Sequence, residues 1–185
     1  MTLSKTRQHA AYLAELNISP ELIAARGFPA YFEPKTLVLV EKDNNNRELF
    51  LTPEAAVAWQ QLKTAAARDG ESLFLVSAFR SIERQAEIIR QKLNKGILLH
   101  EILAVNAPPG FSEHHTGRAI DVSSPGVPVL ELVFEQTSAF AWLTQHAENF
   151  GFYLSFPRHN AQGFQYEPWH WCFEMSAVGG VLIKK

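Results

Sequence analysis

Apolar and polar positions along the chain alternate between helical and extended periods, with clear punctuation between them. The first 30 or so residues carry two short helical patterns; Ser19 caps the second, Pro20 sits in its first turn and Gly27 lies just past its end. TLVLVEKD (Thr36 to Asp43) alternates and is β-branched, so it reads as a strand; the Asn44-Asn45-Asn46 run is a turn, and LFL after it is the return strand. Thr52-Pro53-Glu54 opens a helix that runs to Gly70, with Trp59 and Leu62 on its buried side. LFLVSAF (Leu73 to Phe79) is nearly all apolar and predicts a central strand. SIERQAEIIRQKLNK is a helix stopped by Gly96, and LLHEILAV is a shorter one ended by Asn106 and the Pro108-Pro109-Gly110 breaker. RAIDVSS (Arg118 to Ser124) is a short strand with Ala119, Asp121 and Ser123 on one side. Ser138 to Phe150 is an amphipathic helix closed by Gly151, and FYLSF and WHWCFE are the last strands. The pattern is α+β: a small, mostly antiparallel sheet with helices packed on one face.

Composition narrows the field. A chain of 185 residues with 46% apolar content predicts one domain, residues 1–185, with an ordinary core. A net charge of -2 offers nothing to a polyanion, which disfavours nucleic acid. One cysteine, Cys172, excludes an internal disulfide framework and reads as a small buried filler. Arg7, Gln8, His9 and Glu15 interrupt every apolar run near the start, and no stretch approaches the ~20 apolar residues of a membrane span. The expectation is a cytoplasmic protein without a membrane span.

Two segments carry candidate metal donors. SEHHTGRAID supplies His114, His115 and Asp121; EPWHW supplies Glu167 and His170. Both lie on or beside short strands, so a sheet could bring them together. A catalytic zinc takes three protein donors and keeps one position for water. On an extended chain neighbouring side chains point to opposite faces, so one histidine of the pair would face a metal with Asp121 while the other points away. Spacing does not choose between them. Gly117 suits the turn into the Asp121 strand. Glu167, next to the stiffening Pro168, suits a carboxylate that moves a proton beside the metal without ligating it. Structural readings compete: hydrogen-bonded histidines, a turn-capping Asp121, an ion-paired Arg80, and a strand whose Trp169 and Trp171 fill the core.

Three segments, SAFRS (Ser77 to Ser81), SEHHTGRAID and EPWH, together resemble the VanY-type D-alanyl-D-alanine carboxypeptidase family. These zinc peptidases are grouped with lysostaphin-like peptidases and Hedgehog domains. The motifs fall in the family's order between Ser77 and Trp171; the first 45 or so residues carry none. The resemblance implies a Hedgehog/D-Ala-D-Ala-peptidase-like fold, Zn²⁺ as cofactor, and His114, Asp121 and His170 as ligands. It puts His115 at a variable, non-ligating position. Glu167 matches the catalytic base, Arg80 the arginine that engages the substrate carboxylate or developing oxyanion, and Gln85 and Ser112 positions that hold the peptide's C-terminus.

The implied partner is a peptidoglycan-derived peptide. The implied activity is removal of a terminal D-Ala from stem peptides. With a cytoplasmic location, it becomes L,D-cleavage of tetrapeptide muropeptides in recycling. Alternatives are a D,D-carboxypeptidase acting on pentapeptides, a phage-type endopeptidase with an open groove and no carboxylate clamp, and a non-enzymatic zinc-binding module with no need of Glu167.

Overall fold

The computed structural model describes residues 2–43 and 45–174. In chain order its elements are α1 (Thr2–Glu15), α2 (Pro20–Ala25), β1 (Val38–Lys42), β2 (Glu48–Leu51), α3 (Pro53–Arg68), β3 (Phe74–Ser77), α4 (Ile82–Asn94), α5 (Leu99–Val105), β4 (Ala119–Ser123), α6 (Ser138–His146), β5 (Phe152–Leu154) and β6 (His170–Phe173). Short 3₁₀ turns cover Glu113–Thr116, Leu132–Gln136 and Ala147–Phe150. The helix starts follow from side-chain chemistry. Ser19, Thr52, Ser81 and Thr137 each accept the backbone N–H three residues on, satisfying a donor the helix itself leaves free.

Strands β1 and β2 form a hairpin, and β3-β4-β6-β5 form a four-stranded sheet; every pairing is antiparallel. Of the Asn44–Asn46 turn expected in the hairpin, Asn44 lies outside the described residues. Asp43 closes the loop by accepting the N–H groups of Asn45 and Arg47. α3 and α6 pack on one face of the sheet, where Trp59, Leu62 and Leu143 meet Leu75, Ile120, Val122 and Trp171. A second apolar cluster joins the chain's start to α4 and α5 through Leu16, Ile18, Ala86, Ile89, Ile102 and Leu103.

The apolar run at Leu73 to Phe79 does not form a central strand. β3 is at the sheet's edge, and β4 takes the buried central place with all five residues buried. Two contacts cover that edge: Phe79 N–H donates to Phe50 O (2.9 Å), and Arg47 Nη2 to Val76 O (2.8 Å). An edge strand covered by a hairpin can be as apolar as an interior one, because its exposed backbone is satisfied from the side.

Alternation along β4 and β6 positions the functional groups. Ile120, Val122, Trp171 and Phe173 enter the main core, so Asp121 and His170 project from the opposite face. The ladder pairs Ser77 with Asp121 and Asp121 with His170, which sets the three in one row across the sheet. Gly117, just before β4, has φ +65°, and a Cβ there would stand 2.8 Å from Leu37 Cδ2 and 3.3 Å from Thr52 N. Gly117→Ala should therefore cost about 1–3 kcal/mol in a denaturant titration; an unchanged midpoint would show that the turn relaxes freely.

The segment after α2 ties α5 to the loops before β4 and β6. Arg26 donates through Nε to Gln162 O (2.9 Å) and through Nη1 to Leu103 O (2.6 Å), with its guanidinium over the rings of Phe28 and Phe164. Tyr31 N–H donates to Gly110 O. No helix among the described residues is long and apolar enough to cross a membrane.

Candidate active site

His114 is delivered by the 3₁₀ turn Glu113–Thr116, whose exit is the left-handed Gly117. Its Nδ1 lies 2.7 Å from Ala78 O. A carbonyl only accepts, so the network puts the proton on Nδ1 and leaves Nε2 as a lone pair. That lone pair faces Asp121 Oδ2 at 3.2 Å. Burial, outweighing the attraction of Asp121, holds the His114 pKa below its ordinary value and keeps the ring neutral. Two acceptors thus face each other, an arrangement completed by a cation.

His170 reaches the same point from β6. Its Nδ1 is 3.0 Å from Asp121 Oδ1 and its Nε2 is 2.9 Å from Glu113 Oε2. Burial opposes a charge on this ring, but the hydrogen bonds to Asp121 and Glu113 prevail and raise its pKa to about 10. Asp121 is held far below the usual carboxylate range: burial resists this, and the neighbouring His114 and His170 overcome it. His114, Asp121 and His170 each offer a donor atom, and these atoms lie within 4.8 Å of one another.

The donor set fits zinc. It holds two imidazoles and one carboxylate, all buried. Two more carboxylates, Glu113 and Glu167, stand beside His170, and one guanidinium, Arg80, lies 4.0 Å from Asp121. Three carboxylates thus surround the two imidazoles, a set that suits a divalent cation in place of the proton that His170 carries between Asp121 and Glu113. Both outward ring nitrogens are already held, His114 Nδ1 by a carbonyl and His170 Nε2 by a carboxylate, which is how metal-binding imidazoles are oriented.

His115 is also buried, and it lies on the 3₁₀ turn rather than on an extended chain. Alternation therefore does not separate the two histidines; hydrogen bonding does. Gly110 N–H donates to His115 Nε2 (3.2 Å), and Nδ1 lies 2.7 Å from Arg80 O. Both nitrogens are in use for joining two loops, and burial pushes this pKa down to about 4.

Glu167 Oε2 is 3.9 Å from His170 Nδ1, beside the trio. Burial, opposed by His170 and assisted by Asp121, raises its pKa to about 7, within the range that serves a proton carrier. Arg80 Nη1 donates to Gln85 Oε1 (2.8 Å), and Nη2 stands 3.4 Å from Ser77 Oγ. Gln85 is fully buried and donates on to Ala107 O (2.7 Å). Ser112 and Trp169 line the cavity above the trio, a space of about 470 Å³ that also exposes His114, Asp121, Glu167 and His170. Trp171 is buried in the main core, whereas Cys172 is buried on the His170 side of β6, its thiol beside Glu113 and Tyr153.

Sequence reasoning passed over Glu113, which occupies a position the motif leaves open, and Lys92, which lines the cavity from α4. It also passed over Phe156, whose ring stacks on His170 with centroids 4.7 Å apart. Only the fold makes these proximities visible.

Comparison with known proteins gives a consistent picture. A family profile described as VanY, D-alanyl-D-alanine carboxypeptidase, matches residues 48–176. The chain is 32% identical over 150 residues to YodJ of Bacillus subtilis (strain 168), covering 77% of this chain and 54% of that protein. It is 32% identical over 143 residues to VanXYC of Enterococcus gallinarum, a bifunctional D-Ala-D-Ala dipeptidase and D-Ala-D-Ala carboxypeptidase, covering 75% of this chain and 73% of that one. Among solved structures, the LD-carboxypeptidase LdcB shares a TM-score of 0.66 and 32% identity, over 78% of this chain and 71% of the other. A zinc-bound VanY from a VanB-type resistance cassette shares 0.58 and 25%, over 76% and 82%.

Proposed function

Because the chain belongs to the VanY family of D-alanyl-D-alanine carboxypeptidases, we propose that it is a zinc carboxypeptidase that removes the terminal D-Ala from peptidoglycan stem peptides. The observation that carries this reading is the buried His114–Asp121–His170 trio at the floor of a cavity, with Glu167 beside it. Zinc held by that trio would supply Lewis acidity toward the scissile carbonyl and toward water.

The chain's own residues do the rest. Glu167 takes the proton of the attacking water and returns it to the departing amine. Arg80, anchored by Gln85 and Ser77, places a fixed positive charge beside Asp121 where negative charge grows during attack. Ser112 offers a hydroxyl to the peptide's end. Leu132 at the cavity's rim and Phe156 and Phe164 on its walls exclude water from part of the peptide.

The finer reading is L,D-cleavage of tetrapeptides, supported by the likeness to LdcB; VanXYC favours the D,D alternative on pentapeptides. Mass spectrometry of tri-, tetra- and pentapeptide muropeptides after incubation with zinc-loaded protein separates them. Loss of one alanine from the tetrapeptide alone supports L,D-cleavage. Trimming of the pentapeptide with the tetrapeptide untouched overturns it, and cleavage of none overturns the carboxypeptidase reading.

Glu113 gives a separate prediction. Its carboxylate holds the outward nitrogen of His170, and the Tyr31 hydroxyl stands 3.5 Å from its other oxygen. Glu113→Gln should weaken zinc binding about 10–100-fold in a chelator competition, as loss of such an orienting carboxylate does elsewhere. An unchanged affinity would reduce Glu113 to a packing residue.

A further inference from the structure

Two loops contribute to the cavity's mouth. The first runs from β4 to α6 and brings Leu130, Glu131 and Leu132 to the rim; the second joins β5 to β6 and brings Phe156, Phe164 and Tyr166 to the wall. An ion pair joins the two loops. Arg158 Nη2 donates to both oxygens of Glu135, at 2.8 and 2.9 Å, and its guanidinium lies 4.2 Å from the centre of the Tyr166 ring. The same carboxylate stands beside the Tyr166 hydroxyl.

An exposed ion pair ordinarily contributes little to stability, and the Arg158 side chain is exposed. Its place in the fold gives it a different use. Glu135 stands on a fixed base, because Phe134 before it is buried in the main core and Thr137 after it caps α6. The second loop is held differently at its two edges. At the inner edge Phe164 packs on Phe156, with centroids 4.8 Å apart, and Phe156 packs on His170. At the outer edge Tyr166 lies under the Arg158 guanidinium. Asn160 links the edges: it accepts Phe164 N–H (3.0 Å) and donates to Phe164 O (2.8 Å) and Pro157 O (3.1 Å). Those bonds close residues 157–164 into one braced turn, so a restraint applied at Arg158 is felt across the whole wall.

We propose that Arg158 is a positioning residue: by clasping Glu135 it holds Tyr166 beside the peptide's path and sets the gap between that wall and the Leu130–Leu132 rim. The proposal rests on the carboxypeptidase reading and deepens it. Glu167 follows Tyr166 directly, yet its backbone N–H is held separately by Phe156 O (3.2 Å). Opening the clasp therefore leaves the proton carrier in place and loosens the grip on the peptide, an effect on KM rather than kcat.

The test compares wild type, Arg158→Met, Glu135→Gln and the double variant, all zinc-loaded, with bound zinc and melting temperature checked first. Backbone hydrogen exchange of residues 157–166 is measured without substrate, and kcat and KM are measured on the preferred stem peptide. Each single variant should keep its zinc, speed exchange in that segment, and raise KM about 5–30-fold with kcat within about twofold of wild type. The double variant should be no worse than either single one, because both break the same clasp.

Exchange unchanged in every variant overturns the clasp, and needs no turnover to do so. Faster exchange with KM unchanged, a loss confined to kcat, or losses that add in the double variant overturn the positioning role. Wild type that cleaves no peptide overturns the carboxypeptidase reading and the positioning role with it.

Discussion

Glu167→Ala should keep its zinc and lose about 10²–10⁴-fold in kcat/KM on the preferred stem peptide. The geometry separates those two properties. His114, Asp121 and His170 already supply the three donors that a catalytic zinc takes, and Glu167 Oε2 stands beside them, 3.9 Å from His170 Nδ1. Glu167 is nevertheless mostly buried and opens onto the cavity, where a proton carrier has to be. Glu167→Gln keeps the volume and hydrogen-bonding capacity while removing basicity, so it should lose nearly as much. Peptide turnover and metal content measured on the same preparation decide the matter. Unchanged turnover removes Glu167 from the chemistry, and lost zinc makes it a ligand.

Adjacent histidines should behave oppositely. His114→Ala removes a nitrogen whose lone pair faces Asp121, and zinc affinity should fall by more than the 10–100-fold typical of an orienting partner. His115→Ala removes no available donor, so the protein should still bind zinc. It should instead lose about 1–3 kcal/mol of stability, because Gly110 N–H and Arg80 O are left buried without their partner. Metal analysis and denaturant titration of both variants check this. Zinc lost from His115→Ala and kept by His114→Ala would mean that the motif is aligned one residue off.

Much of the fold is legible in local chemistry. Ser19, Thr52 and Ser81 announce helix starts by side chains that can accept a backbone N–H, and Gly96, Gly117 and Gly151 mark places where the chain turns left-handed. Alternation along RAIDVSS puts Asp121 on the face opposite Ile120 and Val122, as the ladder does. Strand order is a different matter. The apolar character of Leu73 to Phe79 reports burial, and a hairpin that donates to Phe79's neighbours and accepts from its N–H buries an edge as well as a strand would.

The turn beneath His114 and His115 was equally hidden, since Glu-His-His-Thr carries no period long enough to distinguish 3₁₀ from extended backbone. Glu113 is 57 residues from His170, and Lys92 is 14 from Asn106. No local pattern encodes such pairings; they exist only once the sheet and α4 are in place.

The tie made by Arg26 has a practical bearing on where this chain can be divided. The family match begins at residue 48, yet Leu16 and Ile18 cover Ala86, Ile89, Ile102 and Leu103, and Arg26 and Tyr31 bind the backbone of the loops leading to both donor segments. A fragment trimmed to the matched region would present a raw apolar flank on α4 and α5, and two unbraced loops would have to find the metal on their own. The opening helices therefore serve as a splint for the catalytic half, and any shortened version for crystallisation or inhibitor screening should retain them.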